Sequence, residues 1–215
     1  MNIFRLAGDL SHVFAVIVLL LKIYATKSCA GVSLKTQAMY VAVFCTRYLD
    51  LFTHFVSLYN SVMKVVFLGC SGATVYLMTK HKKISRTYDK DHDSFKVEFL
   101  AGPAALLALL FHTDWSFVEI LWSFSIWLEA LAILPQLVLL QRTKNIDNLT
   151  GNYIFLLGSY RALYLLNWIY RFATERRYWD PISWIAGLIQ TGIYSDFFYY
   201  YYLSWKENKK LTLPA

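Results

Sequence analysis

The stretch FSIWLEALAILPQL, residues 124–137, is apolar except for Ser125, Glu129 and Gln136. It lies inside a longer apolar run over about residues 115–140, and roughly 20 such residues cross a bilayer. A carboxyl group at that depth costs roughly 2.5–3.5 kcal/mol on insertion scales, so Glu129 is a residue kept for a purpose. Pro135 offers no amide hydrogen to the preceding turn, which predicts a kink or a break there.

Comparable runs recur on both sides. Segments fall at about 3–22, 35–55, 59–79, 96–112, 115–140, 150–172 and 181–205. The fourth is short and holds Gly102 and Pro103. Of the 215 residues, 57% are hydrophobic and 16% charged, against roughly 25% charged in soluble domains. The reading is an all-α membrane protein with seven transmembrane helices. It forms one integral membrane domain over 1–215, with helices one to three in about 1–80, a linker helix at about 96–112, helices five to seven in about 115–205, and a cytosolic tail at 206–215.

A shift of 114 residues pairs Thr36 with Thr150, Arg47 with Arg161, Leu49 with Leu163 and Leu51 with Leu165, and lays the apolar run before Lys22 over the run before Gln136. This predicts two parallel three-helix repeats joined by the fourth helix, a SWEET-like arrangement.

Charge sets the orientation. With the N-terminus outside, the inner loops hold Lys22, Lys27, Lys35, Lys80, Lys82, Lys83, Arg86, Lys90, Lys96, Arg142, Lys144, Lys206, Lys209 and Lys210, and the outer side only Arg5, Arg171, Arg176 and Arg177. Basic residues collect on the cytosolic side, so the N-terminus is luminal and the C-terminus cytosolic. The net charge of +7 is therefore a topology signal, and no nucleic-acid partner is expected. Arg5 and the apolar run to Leu21 imitate a signal peptide, but no small-residue cleavage site follows, so a retained first helix is expected. Asn148-Leu149-Thr150 matches a glycosylation sequon on the cytosolic side, where it stays unmodified. Cys29, Cys45 and Cys70 lack metal-type spacing and read as free thiols.

Ionisable residues inside the segments mark the site. Arg5, Arg47, Asp50, Lys64, Glu119 and Arg171 fall in the outer half, and His12, Glu129, Arg161 and Asp196 nearer the middle. The outer group reads as a cavity open to the lumen and the inner group as its floor. Tyr160, Arg161, Tyr164, Asn167, Trp168 and Arg171 share one helical face. Three arginines and a lysine exceed what Asp50 and Glu119 neutralise, which points to an anionic ligand, and arginine binds carboxylates bidentately. His12 lies below the cavity as the natural proton switch. No nucleophile–base spacing, metal cluster or glycine-rich phosphate loop stands out, so no enzyme activity and no metal or organic cofactor is expected, with protons as the regulator.

Several stretches are similar to the KDEL receptor family, over essentially the whole chain: MNIFRLAGDLSH, KIYATKSCAGVSLKTQ, CTRYLDLF, SLYNSVMK, FSIWLEALAILPQL, YRALYLLNWIYRF and KKLTLPA. Trp127 and TERRYWDP (174–181) depart from its pattern. The resemblance implies a receptor of SWEET/PQ-loop architecture, which Pro135-Gln136 fits. Such receptors bind the C-terminal KDEL or HDEL signal of soluble luminal proteins in the mildly acidic Golgi and return them to the endoplasmic reticulum in COPI vesicles. It implies Arg47 on the terminal carboxylate with Tyr48 nearby, Arg5 on the ligand glutamate and Arg171 on its aspartate. Glu119 would meet the lysine or histidine four from the end, beside Asp50, with Lys64 in the same cavity. Trp122, Tyr164, Asn167 and Trp168 would be walls, and His12, Glu129, Tyr160 and Arg161 the proton-sensing network. Asp196 would serve retrograde transport, and Lys206, Lys209 and Lys210 would signal to the COPI coat. The rival is a small-solute transporter, for sugars or amino acids, on the same fold.

Overall fold

A computed structural model describes residues 2–52, 55–144 and 146–214, except the side chain of Phe52. The described residues form helices and connecting turns: α1 Ile3–Thr26, α2 Leu34–Arg47, α3 Leu58–Lys80, α4 Lys82–Ser85, α5 Glu98–Leu110, α6 Phe117–Leu131, α7 Leu134–Thr143, α8 Asn148–Thr174 and α9 Pro181–Glu207. Helix starts follow side-chain caps. Asn2 accepts from the Arg5 amide, Ser33 from Thr36, Ser57 from Asn60, Asp147 from Thr150 and Asp180 from Ser183. Pro181 fills the first turn of α9, where its missing amide hydrogen costs nothing.

Among the described residues, three stretches are long and apolar enough to cross a membrane: Ile3–Thr26, Leu58–Lys80 and Phe117–Thr143 taken as one. The helices α8 and α9 have 27 residues each and carry the arginines and aspartate noted above. Large apolar side chains stand exposed around the bundle, among them Phe14, Leu21, Val62, Val65, Phe99, Leu106, Ile169 and Leu188. Lipid is the solvent that leaves such a surface uncharged with cost.

One boundary differs from expectation and one expected break is found. The second segment was expected to run to residue 55, but α2 ends at Arg47 and a 3-10 turn spans Leu49–Phe52; residues 53 and 54 lie outside the described residues. Arg47 and Asp50 therefore do not share an α-helical face. The fifth segment breaks at Ala132 and Ile133 into α6 and α7, the break expected from Pro135. The three cysteines are free, as expected.

The closest helix pairings are α1 with α8, α1 with α3, α2 with α3, α2 with α6, α5 with α6, α6 with α9 and α8 with α9. Two buried polar anchors fix the connections at one end. Lys22 donates to Asp147 Oδ2 at 2.8 Å, Thr150 Oγ1 at 2.7 Å and the Ala30 carbonyl at 3.2 Å. Gln136 accepts from the Ser33 amide at 2.8 Å, and donates from its own amide to Thr36 Oγ1 at 3.1 Å and from Nε2 to the Gly31 carbonyl at 2.8 Å. Ser33 and Asp147 are the N-caps of α2 and α8, so each anchor ties the end of one helix to the capped start of another.

Candidate functional site: a cationic cavity over a buried carboxylate

Near the N-terminal end of α1, six helices surround a cavity of about 270 Å³, with α9 contributing Ser183. Helix α1 supplies Arg5, Asp9 and His12, spaced four and three residues apart on one face. Arg47 and Tyr48 come from the end of α2, Tyr59 and Lys64 from α3, Glu129 from α6, and Tyr160, Arg161, Tyr164 and Trp168 from α8.

Glu129 is the centre of the floor. It is wholly buried and meets Arg47 Nη1 at 2.5 Å and Arg161 Nη2 at 2.6 Å. The Tyr160 hydroxyl donates to Glu129 and accepts from Arg161 Nη2 at 2.8 Å. Arg47 also donates through Nε to Ser125 Oγ at 3.0 Å, and Ser125 is held by the Trp122 carbonyl at 2.6 Å. His12 lies flat on the Tyr160 ring, centroids 4.0 Å apart and planes 4° apart, with Phe67 at 4.4 Å and Phe44 at 5.7 Å on other sides. Such a group of charges is retained in an apolar surround only when each member is paired.

The walls carry a second carboxylate. Asp9 accepts from Tyr59 at 2.8 Å and from the Tyr164 hydroxyl, joining α1 to α3 and α8. Lys64 pairs with Asp50 at 2.6 Å, and its ammonium stands 5.7 Å from the Tyr48 ring centroid. Among the lining residues are four cations, Arg5, Arg47, Lys64 and Arg161, and two carboxylates, Asp9 and Glu129. With Asp50 included, positive charge still leads by one. The excess is smaller than the sequence suggested, because Asp9 was not counted there.

The sequence profile of the ER lumen protein retaining receptor family matches residues 28–171. Over all 215 residues, covering both chains fully, the sequence is 65% identical to ER lumen protein-retaining receptor B of Arabidopsis thaliana. It is 64% identical to the Petunia hybrida receptor and 55% identical to human ER lumen protein-retaining receptor 2, again over both full lengths. The chain belongs to the ER lumen protein-retaining receptor family. The resemblance to the KDEL receptor family read from its motifs stands.

Of the residues singled out in the sequence of this receptor, Arg5, His12, Arg47, Tyr48, Lys64, Glu129, Tyr160, Arg161, Tyr164 and Trp168 come together around one cavity. Arg47 was expected in the outer half, apart from the floor. Its guanidinium reaches down to Glu129 instead, so it belongs to the floor cluster here. Asp50 stands behind the wall, on Lys64. Asn167 accepts from Asn2 at 2.8 Å and, with Arg5 and Arg171, lines a neighbouring groove of about 370 Å³. Arg171 is bound there by Glu175. Glu119 lies half-buried in the first turn of α6; neither it nor Trp122 lines the cavity.

The residues expected to serve trafficking lie along the second half of α9 and just beyond its end. Asp196 is exposed beside a cleft between α7 and α9 that Leu213 and Pro214 of the tail also line. Lys206, Lys209 and Lys210 are exposed, while Leu211 and Leu213 between and after them are buried.

Asp9, Tyr59 and Ser125 were not singled out. Asp9 was legible, since it falls between Arg5 and His12 at helical spacing. Tyr59 and Ser125 carry no sequence signal of their own; only the packing of α3 and α6 brings them in.

Proposed function

We propose that this KDEL receptor binds the C-terminal Lys/His-Asp-Glu-Leu signal of luminal proteins in the acidic Golgi and releases it near neutral pH. The observation that carries this reading is the cavity whose surrounding cations outnumber its carboxylates, seated on a buried carboxylate shared by two arginines. The signal brings three negative groups and one positive, and a cationic cavity in a low dielectric rejects peptides that leave a charge unmatched.

In this reading Arg47 takes the terminal carboxylate with Tyr48 beside it, Arg5 the glutamate and Arg171 the aspartate, while Glu119 with Asp50 meets the basic residue. Tyr164, Asn167, Trp168, Trp122 and Lys64 shape the site. The ligand carboxylate competes with Glu129 for Arg47, and His12, Tyr160 and Arg161 compensate the change. Protonation of His12 adds a positive charge under an anionic ligand, so acid favours the bound state. No metal or organic cofactor enters; the proton is the regulator.

The receptor crosses the membrane seven times as two three-helix repeats linked by α5, N-terminus luminal and C-terminus cytosolic, and cycles between Golgi and endoplasmic reticulum. The helix pairings support the repeat. Exchanging α1, α2 and α3 for α6, α8 and α9 turns the α1–α3, α2–α3 and α1–α8 contacts into the α6–α9, α8–α9 and α6–α2 contacts. Lys22 on Asp147 and Thr150 matches Gln136 on Ser33 and Thr36 under the same 114-residue shift. On the cytosolic side Asp196 and the tail lysines Lys206, Lys209 and Lys210 engage the COPI coat.

The test is a titration of the purified receptor with peptide ending in Lys-Asp-Glu-Leu, with a free or an amidated terminus, at about pH 5.4 and about pH 7.4, on either side of the histidine range. Tight binding of the free acid in acid, lost on amidation or at neutral pH, supports the reading. Binding indifferent to both overturns it.

A further inference from the structure

The groove beside the cavity is lined by two arginines in different states. Among the described residues Arg5 makes no ion pair, whereas Arg171 holds Glu175 in a fork. Arg171 Nε donates to both carboxylate oxygens at 3.0 Å, and Nη2 donates to Oε2 at 2.8 Å. The Tyr178 ring covers the guanidinium, 3.9 Å from Cζ to centroid. This is the bidentate arrangement a carboxylate ligand would make.

Glu175 is placed to make it. It caps α8, with its amide donating to the Arg171 carbonyl at 2.7 Å. Its carboxylate is thus tethered one turn from the guanidinium and returns at high effective concentration whenever it leaves. The pair is also displaceable. Both side chains are well exposed, 36% for Arg171 and 49% for Glu175, and the basic-before-acidic order is the weaker of the two i,i+4 orientations.

We propose that Glu175 is an internal stand-in for an acidic side chain of the ligand, competing for Arg171 and thereby lowering the affinity of this arginine for peptide carboxylates. This rests on the receptor reading above. Arg5 is open to the first acidic group that enters, while Arg171 accepts a second only by exchange. Exchange admits a carboxylate that can offer the same fork and excludes a neutral amide, which makes Glu175 a determinant of selectivity. An exposed pair of this kind shifts an equilibrium by a factor of about two to five.

The experiment compares the full-length receptor with its Glu175→Gln variant, using two fluorescent peptides. One ends in Lys-Asp-Glu-Leu and the other in Lys-Asn-Glu-Leu. Two- to fivefold tighter binding of the aspartate peptide by the variant, shrinking with added salt, and no gain for the asparagine peptide, is the expected result. Intact binding with no gain, or an equal gain for both peptides, overturns the role of Glu175 and leaves the receptor reading standing. Failure of the unaltered protein to bind either peptide overturns that reading and this inference together.

Discussion

Arg47 and Arg161, 114 residues apart in the chain, meet the same carboxylate oxygen of Glu129, at 2.5 and 2.6 Å. One anion thus holds two cations from α2 and α8, and the packing of three helices depends on it. Removing the anion alone leaves both guanidinium groups uncompensated. Glu129→Gln is expected to destabilise the fold by about 3–5 kcal/mol, the usual cost of orphaning a buried charge. Thermal unfolding in detergent measures it; an unchanged midpoint would contradict the pairing.

Arg47 uses two different nitrogens, Nη1 for Glu129 and Nε for Ser125 Oγ. Lysine offers a single point of charge and cannot do both. Arg47→Lys is expected to weaken binding of the free-acid peptide at least tenfold and to leave the poor binding of the amidated peptide unchanged. Equal losses for both peptides would place Arg47 away from the terminal carboxylate.

His12 lies against Tyr160, and Glu129, Arg161 and Arg47 surround the pair. By linkage, a ligand that prefers the protonated receptor takes up protons on binding, so its affinity rises as pH falls, by no more than about tenfold per pH unit for each proton. The slope is expected to flatten in His12→Ala. An unaltered slope in that variant would move the sensor elsewhere.

At the other end of the bundle, burial pushes the Asp147 carboxyl up, but hydrogen bonds from Lys22 and Thr150 outweigh it and hold the group below the usual carboxylate range. A depressed group stabilises the fold above its unfolded value and loses that contribution as pH falls through its folded value. The Lys22–Asp147 anchor is therefore at full strength above about pH 4 and fades below it. Acid unfolding of Asp147→Asn is expected to start from a lower stability at neutral pH and to show a shallower decline below about pH 4; parallel curves for the two proteins would refute this.

Gly158 lies where α8 and α9 pack tightly. A Cβ there would sit 2.6 Å from Tyr194 and 2.7 Å from Phe198, and Tyr194 is fully buried. Gly158→Ala is expected to cost about 1–3 kcal/mol through overpacking. A variant as stable as the parent would mean that α9 can give way at no cost.

Much of this architecture was legible because charges in lipid are expensive. Glu129, Arg161 and His12 stood out in apolar runs, and all three meet at one floor. The pattern of apolarity marks where chain is buried but not how its backbone turns, so Leu49 and Leu51 read as more helix when they form a 3-10 turn. Depth counted along a helix axis placed Arg47 too high, because its side chain spans several ångströms and points down. Asp147 was not singled out, since a helix cap acquires its partner only when the end of α1 arrives beside it. Asp9 was readable from its spacing and was overlooked beside the arginine and histidine that flank it.

The break between α6 and α7 gives Glu129 a mechanical setting. The helix stops two residues after Glu129 and resumes at Leu134, so the buried carboxylate stands next to a joint. The segment beyond it is a rigid arm of ten residues, about 15 Å long, and a tilt of roughly 10° at the joint would swing its far end by about 2.6 Å. Gln136, on that arm, grips the capped start of α2, whose other end carries Arg47. Glu129 is therefore joined to α2 by two routes, directly through an ion pair and around the joint through the arm, and the three helices form a closed linkage.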